Sequence, residues 1–170
     1  MRRLMLGLAL VLLSVSGPAA AGTPGVTRVL VKKNAHELRL YQGDLLLKTY
    51  RVAIGPGGAG AKHMEGDKVT PVGHYHVLWR MPSQFHVFLR LDYPNADDKA
   101  RFDKAKADGT LPKGATIGGD IGIHGAPAAQ EWKSLHKTVD WTLGCVAVDD
   151  AEIDEIAAAV KDGTPVDVED

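Results

Sequence analysis

Hydrophobic and polar residues alternate along most of this chain, and the period is that of strands rather than helices. Residues 27–32 carry Val29, Leu30 and Val31 between polar neighbours, and residues 37–41 set Leu38 and Leu40 against Arg39 and Tyr41. Gln42-Gly43-Asp44 has the composition of a turn, after which residues 45–54 resume the strand pattern, so this part predicts a hairpin or meander. Residues 55–67 read as loop. Residues 73–79 and 85–91 predict two further strands, and Val166 and Val168 a short closing one. Helical signals are fewer. Asn95 caps a segment running to Ala107, with Asp97 and Asp98 in its first turn and Gly109 at its end. Residues 127–136 open on Pro127, which suits a first helical position, and predict a short helix. The clearest helix follows Asp149. Ile153, Ile156, Ala157 and Val160 fall at i, i+3, i+4 and i+7, Asp149 and Glu152 are spaced as a capping box, and Gly163 is its stop. With no internal repeat and no linker, the expectation is one mainly β domain with a few helices.

The N-terminus follows a different rule. Arg2 and Arg3 precede an almost wholly apolar run over residues 4–15, and Ala19-Ala20-Ala21 offers a small-residue cleavage site. The run is too short to span a bilayer, which needs roughly 20 residues. The reading is a signal peptide over residues 1–21, a Gly/Pro leader over 22–26 and the domain over 27–170, with an uncleaved anchor as the alternative. This predicts an exported protein of the periplasm or cell envelope, with no transmembrane segment after cleavage.

Composition narrows the function. At 45% hydrophobic and 24% charged the chain is globular, and 20 basic against 21 acidic residues leave no basic field for nucleic acid. The 19 glycines and 9 prolines fit a turn-rich β fold. A single cysteine, Cys145, excludes both a disulfide framework and a multi-thiolate zinc site.

Cys145 follows Gly144 at the start of an apolar run, Cys145-Val146-Ala147-Val148, so it stands where a strand begins after a tight turn. A buried structural thiol is one reading. An odd cysteine in an exported protein is a candidate reactive thiol, and Gly144 leaves room for a substrate carbonyl beside it. A nucleophilic cysteine needs a base. Among seven histidines, His124 ends a Gly-spaced strand, Ile121-Gly122-Ile123-His124-Gly125, 21 residues before the cysteine. That interval suffices for one excursion and a return to an adjacent strand; a structural histidine fits the spacing as well. Gly55, Gly57 and Gly60 match a dinucleotide fingerprint, but Gly66 and Pro71 leave no helix for it to open, so that reading is rejected. His74 and His76 share a strand face and give a minor metal-binding reading, with His63 as a third ligand.

At Ile123-His124-Gly125 and Thr142-Leu143-Gly144-Cys145-Val146, the chain resembles the L,D-transpeptidase (YkuD) catalytic domain of bacterial peptidoglycan enzymes. Gly66-Asp67-Lys68-Val69-Thr70-Pro71-Val72-Gly73-His74-Tyr75 is similar to another family segment, and the resemblance runs from about Thr27 to the C-terminus. Two positions depart: Leu143 stands where the family has histidine, and Ala147 where it has Arg or Asn. With Asp140-Trp141-Thr142 and Leu91-Asp92-Tyr93-Pro94-Asn95, these mark a distinct branch that includes both presumed transpeptidases and hydrolases.

The resemblance implies a YkuD-like β-sandwich or barrel. It implies Cys145 as nucleophile, His124 as general base and acid, and the Gly125 carbonyl as orienter of the imidazole. The N–H groups of Gly144 and Cys145 would form the oxyanion hole. Residues 85–95, with His86, Arg90 and Tyr93, would line the substrate groove together with Trp141 and Thr142. The partner is a peptidoglycan stem peptide, with release of a peptidoglycan-tethered lipoprotein as a hydrolytic alternative; a silent wall-binding module is the reading from another class. No metal and no organic cofactor is expected.

Overall fold

The computed structural model describes residues 25–170; the signal peptide expected over residues 1–21 and most of the expected leader lie outside the described residues. Pleating sends alternate side chains to opposite faces, and Val29, Val31, Leu38, Leu40, Val166 and Val168 all bury themselves on one side. They belong to β1 (Arg28–Lys32), β2 (Glu37–Gln42) and β8 (Pro165–Glu169). The remaining strands are β3 (Leu45–Arg51), β4 (Gly73–Ser83), β5 (His86–Leu91), β6 (Gly122–His124) and β7 (Val146–Ala147), and the helices are α1 (Ala96–Ala107), α2 (Gln130–Lys133) and α3 (Asp150–Ala159).

The eight strands lie in the order β3-β2-β1-β8-β4-β5-β6-β7. The last strand of the chain therefore slots between β1 and β4, parallel to the first and antiparallel to the second. β4 serves two neighbours in turn. Residues Gly73 to His76 pair with β8, and beyond a register shift between Val77 and Trp79 the strand continues with β5, so the sheet changes course there. Past the end of β3, Ala53 exchanges both backbone hydrogen bonds with Ala147 of β7, at 2.9 and 2.8 Å. The two ends of the sheet thus meet, and of the sandwich or barrel expected the closure makes it a barrel. α3 packs across β5 and β6 with Ile153 and Ile156 fully buried.

Three elements depart from the sequence reading. The helix over residues 127–136 shrinks to the four residues of α2, because Ala129 supplies no side-chain cap; the segment continues as turns, with His136 N–H on the Trp132 carbonyl at 2.8 Å. α3 has its capping box, but it ends at Val160, whose backbone is extended, before Gly163 is reached. Gly163 instead takes φ +83 in the turn into β8. Around Cys145 alternation is lost: Val146, Ala147 and Val148 are all buried, since β7 lies inside the closure and is covered on both faces.

Candidate active site

β6 is only three residues long, and all three are buried. It pairs with β5 on one side, Phe88 opposite His124 and Arg90 opposite Gly122, and with β7 on the other, His124 opposite Ala147. Partnered residues share a face of the sheet. His124 therefore stands in a row between Phe88 and Ala147; two residues back Arg90 pairs with Gly122, and Cys145 directly precedes β7. Imidazole and thiol thus come from adjoining segments. Both line a cleft of about 670 Å³, whose walls are mainly apolar, with Trp79, Met81, Phe85, Phe88, Trp141 and Leu143 among them.

The imidazole is fixed on several sides. Its Nδ1 lies 2.8 Å from the Gly125 carbonyl, which can only accept, so Nδ1 carries the hydrogen and Nε2 keeps its lone pair. Phe85 stacks on the ring at 4.5 Å, Phe88 lies parallel to it at 6.1 Å, and Trp141 presents an edge at 5.6 Å. This burial disfavours the cation and pushes the imidazole down to about 4, and the bond to Gly125 only partly opposes it.

Cys145 donates its thiol hydrogen to the Asp120 carbonyl at 3.4 Å. Burial pushes the thiol up to about 11, against the opposing pull of the backbone at Gly122 and the charges of Lys62 and Arg90. At neutral pH the two groups rest as thiol and neutral imidazole.

The strap that carries the cysteine is held by hydroxyls. Thr142 donates to the Cys145 carbonyl at 2.7 Å and accepts the Gly144 N–H at 3.2 Å. Thr70 donates to the same carbonyl at 3.5 Å and accepts the Gly55 N–H at 2.9 Å. Gly144 has φ +128, and a Cβ there would lie 2.7 Å from the Val69 carbonyl oxygen, so the turn requires glycine. The Gly-Asp segment upstream is built around Asp67. Burial alone would raise its pKa, but Lys62 and the N–H groups of Val69, His63 and Met64 hold it below the usual carboxylate range.

Of the expected substrate-binding residues, Arg90 and Trp141 line the cleft, and so does Thr142, though its hydroxyl is spent on the backbone. His86 and Tyr93 are not brought there. Left-handed backbone at His86 (φ 68) turns its side chain to Asp154 on α3, at 2.9 Å. Tyr93 is buried beyond the end of β5 with its hydroxyl on the Ile117 carbonyl at 3.1 Å. The Gly144 N–H expected in the oxyanion hole faces the Thr142 oxygen. His74 and His76 pair separately with Asp167 and Asp92, and among the described residues no group of three or more His, Cys, Asp and Glu side chains is placed to hold a metal. Sequence reasoning missed Phe88, although it sits two positions from Arg90 in an alternating strand. It also missed Asp120, which no pattern marks.

Fold and cleft define a closed β domain that places one cysteine and one histidine in the same apolar cleft. A family model for the L,D-transpeptidase catalytic domain (YkuD) matches residues 26–168, and the chain belongs to this family. Among solved structures, the chain is similar to the helical cell shape determining protein Pgp2 from Campylobacter jejuni, with a TM-score of 0.61 and 27% identity over 86% of this chain and 48% of that one. Bd1075 from Bdellovibrio bacteriovorus has a TM-score of 0.57 at 21% identity, covering 90% of this chain and 50% of that one. L,D-transpeptidase 1 from Mycobacterium tuberculosis has a TM-score of 0.51 at 13% identity, over 86% of this chain and 62% of that one. The last two show the fold alone. The chain spans about half the length of the first two structures. Comparison with curated proteins gives no match.

Proposed function

We propose that this protein is an exported cysteine acyl-transferase acting on peptidoglycan stem peptides in the periplasm or cell envelope. The observation that carries the reading is the Gly125 carbonyl on Nδ1 of His124, which leaves Nε2 as a proton acceptor in the cleft that also holds Cys145. The thiol and imidazole rest neutral, so proton transfer accompanies attack. The Sγ–H proton passes to Nε2 as sulfur bonds to the substrate carbonyl carbon at the L-centre of the diamino acid. The amide C–N bond then breaks, the imidazolium returns the proton to the leaving amine, and a thioester remains on Cys145. An amine completes transpeptidation, or water completes hydrolysis, each giving up a proton to Nε2 as the thiolate is released and reprotonated.

Hydrolysis is the second reading, covering cleavage of cross-links or release of a peptidoglycan-tethered lipoprotein. Leu143 favours it: the side chain is 71% exposed at the mouth of the cleft, where the family's polar residue would meet an incoming amine. Mass spectrometry of muropeptides incubated with the mature protein, beside Cys145→Ala, tests both. A tetrapeptide stem, an acceptor stem and a cross-linked dimer are supplied together. New cross-links absent with the variant support transpeptidation; loss of the dimer, or shortened stems, supports hydrolysis. Unchanged species, or equal turnover by the variant, sinks the reading.

A further inference from the structure

Arg90 and Cys145 line the same cleft. Arg90 pairs with Gly122 of β6, and Cys145 directly precedes β7, so extending the β6–β7 register by one residue sets Cys145 on the far side of Gly122 from Arg90. Adjacent strands lie about 4.8 Å apart, so the two backbones are roughly 10 Å apart, and an arginine side chain spans much of that gap. Gly122 itself has no side chain, and the Phe88 ring packs against it, where a Cβ would come to 2.6 Å from Phe88 Cζ. The guanidinium lies 5.8 Å from the centre of the Trp79 ring and beside Gly119, where a Cβ would approach Arg90 Nη2 to 3.8 Å. Its charge is met by the Asp120 carboxylate, whose side chain is 84% exposed. Asp120 is also the residue whose carbonyl accepts the Cys145 thiol, and its backbone is left-handed at φ 55. The second cation of the cleft, Lys62, is differently placed: its ammonium is buried against Asp67, which three backbone N–H groups already hold.

We propose that Arg90 binds the free terminal carboxylate of the D-amino acid that leaves when Cys145 is acylated, and that Asp120 occupies this place in the unliganded cleft. The inference rests on the acyl-transfer reading above. A carboxylate one residue beyond the scissile carbonyl lies within a few ångströms of it, and so falls inside the cleft that Arg90 and Cys145 both line. An exposed ion pair is worth only about 0–1 kcal/mol, so a substrate carboxylate displaces Asp120 at little cost and gains a bidentate partner. The same exchange loosens the residue that holds the thiol hydrogen. Substrate recognition and release of the nucleophile are thereby joined at Asp120, and stems ending in a free carboxylate are preferred over the same stems with that end blocked.

The test pairs binding with turnover. Titration calorimetry on the Cys145→Ala protein uses a tetrapeptide stem with a free terminal carboxylate and its C-terminal amide; turnover of both is measured on the protein with Cys145 intact. The free acid should bind at least tenfold more tightly than the amide. Arg90→Gln should abolish the difference by weakening only the acid, and Arg90→Lys should restore part of it. Asp120→Asn should tighten the acid and leave the amide unchanged. With Cys145 intact, Arg90→Gln should raise KM for the acid by tenfold or more, and KM for the amide by far less. Equal binding of acid and amide, no binding of either, or equal weakening of both in Arg90→Gln overturns the inference. Turnover without discrimination overturns it while leaving the acyl-transfer reading standing. Discrimination that depends on Arg90 but leads to no turnover overturns that reading while the carboxylate site stands.

Discussion

His124 shows how one buried side chain ties stability to pH. An unfolded chain protonates its histidines near 6.5, whereas this imidazole is held at about 4 by its burial among Phe85, Phe88 and Trp141. Between those values the unfolded chain binds the additional proton, so the contribution is complete above pH 6.5 and is lost as pH falls toward 4. A separation of that size corresponds to about 3 kcal/mol. Urea unfolding of wild type and His124→Gln between pH 4 and 7 should give curves that converge toward the acid end; parallel curves would dismiss the depressed imidazole. Thr142 makes a sharper separation of stability from activity. Thr142→Val removes the hydroxyl that joins the Cys145 carbonyl to the Gly144 N–H. It should lower stability by about 1–3 kcal/mol while reducing acylation by a larger factor, because the strap that aims the thiol loses its brace. Thermal melts and single-turnover acylation read the two effects, and a variant with unchanged acylation would remove Thr142 from positioning.

At the level of elements, legibility followed periodicity. β1, β2 and α3 carry strict alternation or i, i+3, i+4, i+7 spacing because each has one buried face, and the N-cap at Asn95 and the capping box at Asp149 are local chemistry that a sequence displays directly. α2 and β7 failed for opposite reasons. α2 has no buried residue and no side-chain cap, so Pro127 alone could not fix its extent. β7 is buried on both faces, which erases the alternation that would set its limits. At the site, Cys145 and His124 stand out because glycines flank them in sequence, whereas Gly125 comes only from the family resemblance. The aromatic surround of His124 does not stand out, since Phe88 reaches it through strand register rather than through a motif. His86 and Tyr93 misled because a shared segment is not a shared direction: φ 68 at one and burial at the other turn them from the cleft.

For the molecule as a whole, the bridge between Ala53 and Ala147 is the contact that makes the sheet a barrel. The same segment fixes the active strap, because the Ile54 carbonyl accepts the N–H groups of Trp141 and Thr142 at 3.1 and 3.2 Å. Closure and site should therefore open together. In native-state hydrogen exchange, the amides of Ala53, Ala147 and Thr142 should share one protection level, close to that of the core amides of β1 and β2. Early exchange at Ala53 with Thr142 still protected would uncouple them. Cys145 donates its hydrogen to the Asp120 carbonyl, and burial holds it as a thiol. Peroxides and disulfides react with thiolates rather than thiols, so the chain's only cysteine should resist conversion to sulfenic acid or a mixed disulfide for as long as that proton stays in place.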